Sequence, residues 1–156
     1  MHAIEPAVEG DLVEVRDMYR EYARWLGVNL AFQGDFEQEV ANLPGKYAPP
    51  SGRLLVARAQ TGLAGTVALR SLGEGVCEMK RLFVRNSFRG HGLGRRLVDA
   101  ILDEAAQVGY QKMRLDTLAS MTEAVTLYKS VGFQIIPAYY FNPLPDVVYF
   151  ERGLSK

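Results

Sequence analysis

The sequence predicts an α/β protein of the mixed kind, with a central, mostly antiparallel sheet of about seven strands and helices on both faces. Three observations carry that prediction. First, three β-like runs follow one another across short glycine-containing breaks, "RLLVARA" from Arg53, "LAGTVALRSL" from Leu63 and "VCEMKRLFV" from Val76, as in an antiparallel meander. Second, the apolar period then lengthens: Leu93, Leu97, Ile101 and Ala105, joined by Val98 and Leu102, form a helical stripe that ends at Gly109. Third, "KMRLDTL" is again a strand, so strand, helix and strand make one crossover unit with parallel strands and a right-handed connection.

The remaining elements fall around this centre. Gly10 or Asp11 opens a helix whose apolar residues, Leu12, Val15, Met18, Tyr19, Tyr22, Trp25 and Leu26, recur at three- and four-residue spacing, which places Trp25 in the core. Phe36, Val40 and Leu43 suggest a shorter helix with Asp35 as N-cap and Pro44-Gly45 as its stop, and "YAPPSG" is a loop. Ser120 and Glu123 have capping-box spacing and open a helix through Ala124, Leu127, Tyr128 and Val131, stopped by Gly132. "FQIIPAYY" and "VVYFERGL" read as two last strands around the loop "FNPLPD".

With 156 residues and no internal repeat or linker, the chain is expected to be one domain, 1–156, large enough for a proper core. Eighteen basic residues balance eighteen acidic ones, which argues against nucleic acid as a partner. One cysteine, Cys77, and two histidines give no basis for a disulfide or a metal site. The amino-terminal residues have no leader pattern, and no apolar run approaches a membrane span, so a cytoplasmic protein without a membrane partner is expected.

Against that neutral background, "VRNSFRGHGLGRRLV" (Val84 to Val98) holds three glycines in five positions and four arginines with no acid. It joins a strand to a helix, where open α/β sheets hold ligands and where free helix N–H groups attract anions. Gly90, Gly92 and Gly94 let backbone approach a bulky anion, and Arg85, Arg89, Arg95 and Arg96 surround it with charge, so the simplest ligand is a phosphate or pyrophosphate. A dinucleotide fingerprint needs a different glycine spacing, and a P-loop needs an ending in Gly-Lys-Ser/Thr that is absent.

"R-G-H-G-L-G", Arg89 to Gly94, resembles the acetyl-coenzyme A loop of the GCN5-related N-acetyltransferase (GNAT) superfamily. The resemblance extends in order through the "CEMKRLFV" strand and "LDTLASMTEAVTLYKSVGF" to the Leu-Tyr…Gly-Phe pattern at Leu127, Tyr128, Gly132 and Phe133. Ile4 to Leu26 is similar to the first strand and helix of such enzymes. It implies a GNAT-like fold, acetyl-CoA as co-substrate without a metal, and an N-acetyltransferase moving an acetyl group to a primary amine of a small molecule or peptide in a ternary complex. A non-catalytic acyl-CoA-binding regulatory module and an acyltransferase for longer acyl chains are the alternatives, and a homodimer is compatible with any of them.

The resemblance also implies roles. Cofactor contacts fall on Leu82, Phe83 and Val84, whose backbone would pair with the pantetheine arm, and on Arg89, Gly90, His91, Gly92, Leu93, Gly94 and Arg95. Because an amine attacks only when unprotonated, Glu78 is the expected proton acceptor, directly or through a water; otherwise it pairs with Lys80 or Arg81 on an exposed face. Strict alternation puts Glu78, Lys80 and Leu82 on one face, a count that a strand bulge found in the family would shift. Tyr128 is the expected general acid for the departing thiolate, although its helical spacing alone reads as core. Cys77 is expected to be a packed strand residue. The acceptor cleft is expected between Val28 to Pro50 and Tyr139 to Asp146, with Tyr47, Tyr139, Tyr140 and Phe141 as an aromatic wall and Asp35, Glu37, Glu39 or Asp146 attracting a cation.

Overall fold

The computed structural model describes residues 2–27 and 36–154. Strands β1 (Ala3–Pro6), β2 (Arg53–Ala59), β3 (Gly62–Gly73), β4 (Val76–Val84), β5 (Lys112–Leu118), β6 (Gln134–Ile136) and β7 (Val147–Gly153) form one sheet in the order β1-β2-β3-β4-β5-β7-β6. Every neighbouring pair is antiparallel except β4 and β5, which are parallel and joined by the crossover helix α3 (Leu93–Val108). Helix α3 packs on one face with α4 (Thr122–Ser130), and α1 (Leu12–Leu26) and α2 (Phe36–Ala41) cover part of the other. None of these helices is long and apolar enough to cross a membrane.

The sheet separates two apolar cores because alternate residues of each strand point to opposite faces. Leu55 and Ala57 of β2 join Leu97, Val98 and Ile101 on the α3 side, whereas Leu54 and Val56 join Val15, Met18 and Tyr19 on the α1 side. Helix α3 ends at Gly109 in the left-handed conformation, as its sequence predicts.

Three local expectations are corrected. Trp25 is 51% exposed, because the buried stripe of α1 runs through Val15, Met18 and Tyr19 and leaves Trp25 at its margin. The N-cap of α4 is Met121, and no capping box forms, since the backbone N–H of Ser120 donates instead to Asp146 Oδ2 at 3.0 Å. The "FQIIPAYY" strand is cut to Gln134–Ile136, where Pro137 withdraws a backbone donor. Asp35, the expected cap of α2, lies outside the described residues.

Two features of β4 place the site. Its pairing with β5 covers only Val76↔Lys112, Cys77↔Met113 and Glu78↔Arg114. Beyond that point β4 stays with β3 as far as Val84 and β5 stays with β7 as far as Leu118, so the two parallel strands part as a wedge. Within the diverging part, β4 carries a bulge: the β3 register jumps from Lys80 to Phe83, and Arg81 adopts φ 61°. The bulge inverts the alternation. Cys77 and Met79 face α3 before it, whereas after it Phe83 faces α1 and Leu82 and Val84 pack towards α3. The face shared by Glu78 and Lys80 therefore does not include Leu82.

An ion pair holds the bulge. Arg81, 5% exposed, grips Glu39 of α2 with two hydrogen bonds of 2.8 and 3.1 Å, and lies 5.0 Å over the Phe36 ring. Tyr47 donates to the same carboxylate at 2.9 Å, and Lys46 approaches it at 3.2 Å. Burial alone would raise the Glu39 pKa, but the Arg81 hydrogen bonds and charge outweigh it and hold the carboxyl at about 2. Because the folded value lies below that of an unfolded glutamate, about 4.3, the stabilisation is complete above that pH and disappears as pH falls from there towards 2. Glu39→Gln should cost roughly 3 kcal/mol at pH 7, since it leaves Arg81 buried with its charge unmatched. Its denaturant-measured stability should also fall less steeply than the parent's below pH ~4; equal slopes would remove Glu39 from the acid response.

Candidate active site

The wedge between β4 and β5 opens into a cleft of about 720 Å³. One wall is β4 from Met79 to Val84, with a backbone edge that β5 no longer pairs; the other is β5 from Leu115 to Leu118. The first turn of α3 closes one end, and Tyr128 and Leu127 of α4 line the α3 side.

The glycine-rich segment occupies the strand-to-helix position that the sequence predicts. Gly90 and Gly92 have φ values of 85° and 76°, which side-chain-bearing residues rarely adopt, and Gly92 is the N-cap of α3. The first intrahelical bond runs from the Arg96 N–H to the Gly92 carbonyl, so the N–H groups just before it are free to meet a ligand. Gly90, Gly92, Leu93 and Gly94 all line the cleft, as do Leu82, Phe83 and Val84.

The four arginines divide. Only Arg89 lines the cleft: its Nε donates to the Val84 carbonyl at 2.8 Å, and its guanidinium stacks 4.7 Å from Trp25 and 5.5 Å from Phe83. Arg85 is spent on Glu14 and Glu21 of α1, at 2.6 and 2.9 Å, and Arg96 donates to the His2 carbonyl at 2.6 Å, which corrects the expectation that both surround the loop. Arg95 is exposed and lies 3.7 Å from Asp99, and His91 is exposed; neither lines the cleft.

Glu78 stands at the apex of the wedge, on the face opposite α3, and is 1% exposed. Arg70 donates to Oε1 at 3.0 Å and Tyr139 to Oε2 at 2.6 Å, so its hydrogen-bond partners are neither Lys80 nor Arg81, and it does not itself line the cleft. Burial pushes its pKa up, but the charge of Lys80, the Tyr139 hydrogen bond and Arg70 outweigh that and keep it below the usual range. Tyr128 is buried with one side on the cleft, its ring about 6 Å from Phe133 and Phe150, and burial raises its phenol pKa. Cys77 is packed in the core, and burial pushes its thiol up to about 12.

The acceptor wall differs from expectation. Tyr47 is fully buried beneath α2 with its hydroxyl on Glu39, and is a core residue. Glu39 is committed to Arg81, Asp146 accepts from Ser120, and Glu37 is exposed. Val28 to Asp35 lie outside the described residues. Tyr139 and Tyr140 do come together, with Tyr149, at ring separations of 5.3 to 5.5 Å, while Phe141 is 85% exposed. Trp25, Lys80 and Asp116 also line the cleft. The spacing of Trp25 predicts core, the sequence offers Lys80 as a partner for Glu78, and Asp116, the one acid in "KMRLDTL", accepts from the Tyr140 hydroxyl.

Comparison with known proteins places this geometry. Residues 12–133 match the Acetyltransferase (GNAT) family. The chain is 45% identical to an uncharacterized N-acetyltransferase of Schizosaccharomyces pombe over 94% of its own length and 90% of that protein's. It is 38% identical to an IAA acetyltransferase of Azospirillum brasilense over 69% of this chain and 71% of the relative. Among solved structures, a GNAT-family acetyltransferase from Staphylococcus aureus superposes with a TM-score of 0.81 at 18% identity, covering 99% of this chain and 100% of the other. The PaiA N-acetyltransferase of Thermoplasma acidophilum, solved with coenzyme A, superposes with a TM-score of 0.78 at 16% identity, covering 98% and 99%.

Proposed function

Since the chain belongs to the GNAT family of acetyltransferases, we propose that it is an acetyl-CoA-dependent N-acetyltransferase acting as one domain, which moves the acetyl group directly to a primary amine of a small molecule or peptide. The carrying observation is the wedge, where an unpaired strand edge leads to a glycine-lined helix N-terminus. Both parts fit the co-substrate. The free N–H groups of α3, with Gly90, Gly92 and Arg89, suit its pyrophosphate, and the β4 edge from Leu82 to Val84 suits the amides of its pantetheine arm as an added strand would. The coenzyme A in the Thermoplasma structure supports that choice of ligand.

When bound, acetyl-CoA supplies the activated acyl group. The protein's part is to hold the acceptor amine against it and to manage two protons. Glu78, ionised but sealed by Arg70 and Tyr139, takes the amine proton through a water or the Tyr139 hydroxyl rather than by contact. Backbone N–H groups along the bulged part of β4 face the charge that builds on the acyl oxygen. Tyr128, a phenol protonated at neutral pH even at its ordinary pKa of about 10 and held so more firmly by burial, donates a hydrogen bond that steadies the departing thiolate.

The sealing of Glu78 is the observation that favours the second reading, a module that binds acyl-CoA without turnover. Thiol release from acetyl-CoA across a panel of amines separates the two, since a clear acceptor excludes the module and silence with tight CoA binding supports it. CoA should raise the melting temperature, and Arg89→Glu or Gly92→Asp should abolish that ligand-induced rise, each losing or reversing a phosphate contact worth roughly 1.5–3 kcal/mol. An undiminished rise in both variants would discard the phosphate site.

Two substitutions test the proton path. Glu78→Gln should lower kcat/KM roughly 10²–10⁴-fold with CoA affinity retained, and activity within a few-fold of the parent would take Glu78 out of the reaction. Tyr128→Phe keeps the packed ring, so stability should change by no more than about 1 kcal/mol, while kcat should drop roughly tenfold or more. Full kcat, or loss by unfolding alone, would make Tyr128 a core residue only.

A further inference from the structure

The sheet face opposite α3 carries a layer of charge alongside the wedge, and most of it is matched. Arg70 meets Glu78 at 3.0 Å, Arg114 meets Glu151 at 2.8 Å, and the hydroxyls of Tyr139 and Tyr140 bind Glu78 and Asp116. Lys80 stands apart from this pairing. It lies two residues beyond Glu78 on the same face, is half-buried and lines the cleft, and among the described residues its ammonium has neither a hydrogen bond nor an ion pair. Glu78 and Asp116 attract it electrostatically, yet burial still dominates and lowers its pKa.

An ammonium group has three donors, and holding it partly out of water is unfavourable until acceptors reach it. The carboxylates nearby accept from other groups, Glu78 from Arg70 and Tyr139 and Asp116 from Tyr140, and neither comes within ion-pair distance of the Lys80 ammonium. The co-substrate's phosphates do not reach it either. Val84, where β4 ends before the glycine loop, lies three rungs of the β3 ladder further on because of the bulge, about 10 Å at ~3.3 Å per rung. What remains is the second substrate.

We propose that Lys80 is an anion subsite for the acceptor, so that the molecule acetylated here is an amine that also carries a carboxylate, an amino acid or a related amino-carboxylate. The carboxylate pairs with Lys80 while the amine turns towards the wedge. The inference rests on the transferase reading of the same cleft and narrows its substrate class. A polyamine, by contrast, would bring only positive charge to Lys80.

Paired acceptors test the subsite: phenylalanine against phenylalaninamide and tryptophan against tryptamine, assayed by thiol release with the parent, Lys80→Met and Lys80→Arg. Calorimetry of the two amino acids on CoA-saturated protein adds a readout independent of turnover. The acids should be favoured roughly tenfold or more in kcat/KM. Lys80→Met should raise their KM by a similar factor relative to that of the neutral partners, with the KM for acetyl-CoA nearly unchanged; loss of the charge beside Glu78 should shift kcat for acids and neutral partners together, and Lys80→Arg should restore most of the preference. Equal use of acids and neutral partners by the parent overturns the subsite and leaves the transferase standing. So does a Lys80→Met variant that leaves the ratio of the acids' KM to the neutral partners' KM unchanged, which would make Lys80 a structural counter-charge, or one that weakens acetyl-CoA binding instead. If no amine turns over but the amino acids bind the parent and not Lys80→Met, Lys80 holds a carboxylate, but its role as an acceptor subsite falls together with the transferase reading. Absence of both turnover and amino-acid binding overturns the two together.

Discussion

The separation of β4 from β5 after three residue pairs is the constraint on which the rest of the molecule depends. A sheet that stayed zipped would bury the edge of β4 in a ladder and leave no cleft. Divergence instead leaves backbone groups unpaired, and such groups must find water or a ligand. Each strand is held to its outer neighbour, β4 to β3 and β5 to β7, so the opening belongs to the folded chain and does not need a ligand to pry it apart. The parallel relation matters too, because it requires a crossover helix, and the start of that helix is thereby delivered to the open end of the wedge.

The bulge at Arg81 sharpens this arrangement. One extra residue inverts the faces of β4, which lets Glu78 and Lys80 serve the side opposite α3 while Leu82 and Val84 pack towards it. A non-glycine residue at φ 61° is strained, and the two hydrogen bonds to Glu39 supply the compensation. Since Glu39 lies on α2, the conformation of the cleft wall is tied to the helix beneath it, and Tyr47 and Phe36 exclude water from the link.

Most of the architecture could be read from sequence because apolar period reports directly on which faces are buried. The boundaries of β2, β4, β5 and α3 follow from "RLLVARA", "VCEMKRLFV", "KMRLDTL" and the Leu93 to Ala105 stripe. Where a residue's surroundings come from distant segments, the sequence was a poorer guide. Trp25 has the spacing of a core residue and the position of a cleft wall, because its exposure depends on where Arg89 and Phe83 arrive. Ser120 and Glu123 have capping spacing, but Asp146, from the other end of the chain, competes for the Ser120 backbone. The register inversion at Arg81 was visible only through the resemblance, since nothing in "EMKRLFV" announces a positive φ.

Charge shows the same limit and explains how a chain with no net charge holds an anion-ready loop. The four arginines from Arg85 to Arg96 look alike in sequence, yet Arg85 and Arg96 bind the loop's flanks to α1 and to the amino-terminal segment. Arg89 anchors to the Val84 carbonyl and presents the rest of its guanidinium between Trp25 and the cleft. Fixing two arginines on carboxylates and a carbonyl immobilises the backbone between them, so that the glycines and helix N–H groups meet an anion without first losing conformational freedom. Preorganisation of that kind raises affinity by removing an entropic cost rather than by adding contacts. A chain with no net charge can therefore hold an anion-ready loop, because Arg85 is matched by Glu14 and Glu21 while Arg89 keeps its charge at the cleft.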